Sequence, residues 1–186
     1  MRLGQLLATG LLLLGLAGCA GSFTTSADLA DATNRVAPIE PGLYQLATGG
    51  GEGLLFERAD NDRYIVTLQP PQADRAPVQL SVFGPLDGFY VAQIGPQAQP
   101  SGVPASFGNF VFSVTEAGSL AIANDLAVRS ALGVALADTL GVPNDPPRST
   151  SVLTDNAALN WALIGRAIAG NRAAFAPAAE LVPASR

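Results

Sequence analysis

The sequence predicts an α+β fold: an antiparallel β-meander of about six or seven strands, as an open sheet or partial barrel, with two C-terminal helices packed on it. Three observations predict it. From about Gly42 onward, apolar and polar residues alternate in short runs separated by turn residues, the pattern of hairpins rather than of βαβ units. One run, Phe89-Tyr90-Val91-Ala92-Gln93-Ile94, is apolar on both faces, so a second layer must cover it. After Asn124 the apolar spacing lengthens to that of a helix.

The elements are justified in chain order. Residues Leu6 to Gly18 are apolar, follow a short segment carrying Arg2, and are too few to cross about 30 Å of hydrocarbon, so 1–18 reads as a signal peptide. It ends in Leu16-Ala17-Gly18-Cys19, and Cys19 is the sole cysteine of the chain. This quartet resembles the lipobox of bacterial lipoproteins, and the resemblance covers residues 1–19. It implies that the Cys19 thiol receives a diacylglycerol, that cleavage follows Gly18, and that the new amino group is acylated by a fatty acid such as palmitate. A mature chain from Cys19 to Arg186 would then be held at the membrane of the cell envelope through its N-terminal lipid. Ala20 beside the cysteine, where some lipoproteins carry aspartate, implies the outer membrane, with the body facing the periplasm. Two acyl chains suffice for durable anchoring, whereas one does not. The other reading of Cys19 is a small buried apolar residue in a conventional signal peptide or short anchor helix.

Residues 19–41 are expected to form a flexible tether: Ala20-Gly21-Ser22-Phe23-Thr24-Thr25-Ser26-Ala27 consists mostly of small and hydroxyl-bearing residues, and Leu29 is the only large apolar residue between Ser26 and Asn34. Strands are expected near residues 43–48, 53–58, 63–69, 78–83, 88–95, 109–116 and 119–123. Asp60-Asn61-Asp62, Asp87-Gly88 and Ala117-Gly118 supply tight connections between them. A first helix carries Val128, Leu132, Ala135, Leu136 and Leu140, with Asn124 or Asp125 as N-cap and Gly141 past its end. A second runs from Asn156 to about Ala169, capped by Thr154 or Asp155 and closed by Gly170, with Ala157, Trp161, Ile164 and Ile168 on its apolar stripe. Residues 143–149 form the loop between them. Residues 42–176 make a single domain, and 177–186 a C-terminal tail.

The composition excludes much chemistry. The chain has 186 residues, no histidine, a net charge of −5, and arginine as its only basic residue. Imidazole bases, Schiff-base lysines and His-ligated metals are therefore absent, and the usual serine triads and dyads cannot be assembled. No cofactor is expected. Scattered arginines on an acidic chain argue against nucleic-acid binding. Gly49-Gly50-Gly51-Glu52-Gly53 lacks the lysine and hydroxyl of a phosphate-binding loop and precedes a strand, so it reads as a hairpin connection. Asp60-Asn61-Asp62 lacks the glycine and distal glutamate of a calcium loop and reads as a hydrated turn.

Three functions remain. The first is a non-catalytic, membrane-anchored envelope lipoprotein with a binding or structural role, contacting another envelope protein through its surface; it calls for a filled interior and an exposed apolar patch. The second is a carrier or sensor of a small apolar ligand, with Tyr44, Phe56, Tyr64, Phe83, Phe89, Tyr90, Phe110 and Phe112 lining a cup. Their plainer role is ordinary core, as docking on the sheet is for Trp161. The third is a carboxylate-dependent hydrolase drawing on two of Glu52, Glu57, Asp60, Asp62, Asp74, Asp87 and Glu116.

Overall fold

The computed structural model describes residues 23–72, 75–97, 106–143 and 153–184. Nine strands and two helices are present among them: β1 (Phe23–Thr25), β2 (Gly42–Leu46), β3 (Gly53–Ala59), β4 (Arg63–Gln69), β5 (Val78–Leu86), β6 (Phe89–Gln97), β7 (Ser106–Val114), β8 (Leu120–Ala123), α1 (Asp125–Leu140), α2 (Ala157–Gly170) and β9 (Pro177–Pro183). The protein is α+β, and its sheet is closed. Strands β2 to β8 form an antiparallel meander, and β9 pairs with both β8 and β2, completing an eight-stranded barrel. The ninth strand, β1, lies along β7 on the edge that β8 also uses: Phe23 faces Asn109, and Ile122 faces Phe112.

Turn chemistry sets the meander. Asn61 and Asp62 take φ of 58° and 55°, and Asp87 and Gly88 take 49° and 84°, the left-handed geometry that matches the twist of a hairpin. Gly53 opens β3 where a Cβ would lie 2.7 Å from the Tyr44 carbonyl oxygen, so only glycine fits there.

Alternation then divides the apolar residues between two cores. Inward-facing Tyr44, Leu54, Phe56, Tyr64, Val66, Leu80, Val82, Ala92, Ile94, Phe112, Leu120 and Leu181 fill the barrel. An eight-stranded barrel is just wide enough for side chains to fill it. The outward faces of β5 to β8 contribute Phe83, Val91, Val111 and Ala123 to a second core, covered by α1, α2 and the N-terminal segment. This is the second layer that the two-faced apolar run of β6 requires. Helix α1 packs through Val128, Ala131, Leu132 and Ala135; α2 packs through Leu163, Ile164, Ala167 and Ile168. Trp161 is only partly buried at the edge of this core, and Leu163 is the large side chain that α2 buries in its place.

Several expectations need correction. The meander of about six or seven strands is present, and the sheet goes further than an open sheet or partial barrel: β9 closes it, and β1 and β9 are strands beyond the seven expected segments. From Phe23 onward the expected tether is part of the body: Phe23 and Leu29 are fully buried, and Ile39 plugs the barrel. Its few apolar residues suffice because each meets a preformed apolar wall. Likewise the expected tail is β9, in which a single inward residue, Leu181, is enough because both neighbouring strands supply hydrogen-bond partners. The domain therefore extends beyond 42–176 at both ends. In α2 the N-cap is Asn156, whose side chain accepts from the Leu159 N–H, and not Thr154 or Asp155; the C-cap is Asn171, and Gly170 is the last helical residue. The expected loop lies outside the described residues from 144 to 152.

Candidate functional site

The lipobox residues Leu16, Ala17, Gly18 and Cys19 lie outside the described residues. The chain they lead into is fastened to the barrel by a buried polar cluster. Gln93 of β6 and Asn109 of β7 are opposite each other across the strands, with side chains on the outer face. Gln93 Nε2 donates to Thr25 Oγ1 at 3.2 Å, to the Ala27 carbonyl at 3.3 Å and to Asn109 Oδ1 at 3.1 Å, while its Oε1 accepts from the Leu29 N–H at 3.2 Å. Asn109 Nδ2 donates to the Phe107 carbonyl at 3.0 Å and, at 3.4 Å, to the Phe23 carbonyl and Thr25 Oγ1. Thr25, Gln93 and Asn109 are each at most 2% exposed. Among the described residues no buried side-chain nitrogen or oxygen lacks a partner, so this cluster is a closed fastening without a free acceptor for a ligand. Sequence reasoning missed it. The available signal was a lone amide, Gln93, in a strand otherwise apolar on both faces, since a buried amide must find partners.

A second fastening closes one barrel end. The Tyr64 hydroxyl donates to the Ile39 carbonyl and accepts from the Ile39 N–H, both at 2.9 Å, and the Tyr44 hydroxyl donates to the Glu40 carbonyl at 3.1 Å. Burial pushes both hydroxyls above the usual tyrosine value of 10.0, with Glu40 adding to the effect at Tyr44. Arg35 holds the start of the same strap: it pairs with Asp28 at 3.1 Å, donates to Ser81 Oγ at 3.2 Å, and lies over the Phe83 ring.

The aromatic residues divide between the cores. Tyr44, Phe56 and Tyr64 stack edge to face inside the barrel, beside the stacked pair Tyr90 and Phe112, with Phe110 next to it. Phe83 and Phe89 face the helices instead, where Phe89 packs on Phe175. Among the described residues, a cavity of about 10 Å³ lies in the lumen, walled by apolar side chains including Ile39, Phe56 and Phe112. That is room for roughly one water with nothing to bond it.

The carboxylates do not converge in one pocket. Glu52 lies in the β2–β3 connection at one end of the barrel, and Glu57 projects from the outer wall of β3. Asp60 and Asp62 share the β3–β4 turn, and Asp87 and Glu116 sit on two other turns at the same, opposite end; all four are exposed, and Asp87 is taken up by an ion pair with Arg172. Asp74 lies outside the described residues. Among the described residues no three His, Cys, Asp or Glu side chains are grouped as metal ligands would be, and no helix is long and apolar enough to cross a membrane. What these residues build is an all-antiparallel barrel with a helical pair on one wall. No family model, curated protein or solved structure matches the chain.

Proposed function

We propose that this protein is a non-catalytic, lipid-anchored component of the bacterial cell envelope, attached through acyl chains on Cys19 to the outer membrane and facing the periplasm, with a binding or structural role. One observation carries the reading: the sole cysteine of the chain stands where an apolar leader ends, in Leu16-Ala17-Gly18-Cys19. The absence of histidine and lysine and the scatter of the carboxylates favour a role without catalysis. The lumen offers little support for ligand carriage, because about 10 Å³ falls far short of the roughly 300 Å³ or more of a small-molecule pocket. The exposed apolar side chains of α1, Leu126, Val134 and Leu140, and Val142 just beyond it, favour contact with another envelope component over an internal ligand. Changing Cys19 to Ala tests the anchor: metabolic labelling with a fatty acid should vanish and the protein should leave the membrane fraction. Unchanged labelling and fractionation would refute it.

A further inference from the structure

Only Ala20, Gly21 and Ser22 separate Cys19 from Phe23, whose side chain is fully buried in the body. On the lipid-anchored reading, on which this inference rests, those three residues are the whole leash. Four Cα–Cα steps span at most roughly 14 Å, about half the length of a nine-residue barrel strand. The body cannot hang clear of the bilayer; one of its faces must lie against it.

The pairing register indicates which. Phe23 is opposite Asn109 and Ile122 is opposite Phe112 on a single edge of β7, so the chain enters β1 beside the end of β8, where α1 begins at Asp125. Among the described residues, the exposed large hydrophobic side chains are Leu126 (71%), Val134 (40%), Leu140 (64%) and Val142 (42%). The first three lie within an arc of about 120° on α1, opposite the inward Val128, Ala131, Leu132 and Ala135; Gly133 and Ala137 fall in the same arc and are buried, so the exposed apolar surface is these separate large side chains rather than the whole arc. Val142 follows directly after the Gly141 cap.

We propose that this outward side of α1 is a bilayer-seating surface, laid into the headgroup region of the membrane that holds the Cys19 lipid. Leu126, Val134, Leu140 and Val142 enter the apolar boundary, and the short leash fixes the body in that orientation. With a net charge of −5 the chain gains nothing from anionic headgroups, so the seating is apolar and added salt does not weaken it.

The test uses the mature acylated protein, in which the lipid occupies Cys19 and an introduced cysteine is the only free thiol. Val134→Cys carries an environment-sensitive fluorophore; Glu57→Cys, on β3 diametrically across the barrel from β7, is the control. Both are reconstituted in vesicles of phosphatidylethanolamine and phosphatidylglycerol containing a nitroxide-labelled lipid. Quenching several-fold stronger at position 134 than at 57, not weakened by added salt and reduced when Leu126 and Leu140 are both changed to Ser, is the expected result. Equal quenching at the two positions overturns the proposal, as does a doubled mass in detergent with position 134 already shielded, which would assign the face to a second copy. Fatty-acid labelling of the same preparation is read separately: its loss would refute the anchor itself, whereas equal quenching with intact labelling refutes only the seating surface.

Discussion

Tyr64 shows how one side chain can hold an otherwise weak segment. Its hydroxyl satisfies both backbone groups of Ile39, the residue that plugs the barrel end, and no other strand is there to do so. Changing Tyr64 to Phe keeps the ring but strands two buried backbone groups, and should cost about 1–3 kcal/mol in urea denaturation. The same burial makes stability depend on pH in a defined direction. Because Tyr44 and Tyr64 hold their protons more tightly in the folded protein than in the unfolded chain, their contribution is complete below about pH 10, the unfolded value. It is lost as pH rises through the higher folded values. Stability followed across that range should fall more steeply in the wild type than in Tyr44→Phe, which cannot ionise at this position. That these tyrosines lie in strands was legible from alternation; that their hydroxyls clasp residues 39 and 40 was not, since nothing local marks the partner.

Among the elements, legibility follows how locally each is encoded. Strand β4 occupies the residues expected of it, because its alternation and the Asp60-Asn61-Asp62 turn are both contained within a dozen positions. Helix α1 starts at the Asn124 cap and stops at Gly141, φ 65°, for the same reason. The cap of α2 was misjudged by one or two positions. Thr154 is occupied elsewhere, its hydroxyl and backbone both bonded to the buried Asn160, an arrangement visible only in three dimensions. Strand β1 was invisible because it is three residues long, two of them polar, and held by partners more than sixty positions away. Its fastening can be broken selectively. Gln93→Leu leaves the buried Leu29 N–H without the bond that Gln93 supplies, while the Ala27 carbonyl keeps its bond from Thr25 Oγ1 at 2.9 Å. It should cost about 2 kcal/mol, within the range for orphaned buried polar groups. Hydrogen exchange should locate the loss in residues 23–31, with the barrel strands still protected.

For the whole molecule, closure is the decisive property. Strand β9 covers one edge of β2 and one of β8, so deleting residues 177–186 should expose two unpaired strand edges and open the lumen. Size-exclusion chromatography should then show aggregation in place of the wild-type peak; an unchanged profile would mean that β9 is dispensable. The apolar exterior of α1 is also a property of this scale: alternation and helical spacing place residues on faces, but only the packed body shows which face is left over. The sequence by itself determined the α+β class, seven of the nine described strands, both helices and the exclusion of imidazole and lysine chemistry, because each is written in composition or in neighbours a few residues apart. The tertiary structure alone decided that the meander closes, that residues 23–41 and 177–183 belong to it, and that its lumen is filled. Those outcomes depend on hydrogen bonds and packing between segments far apart in the chain, whose favourable energy appears only once the other strands are already in place.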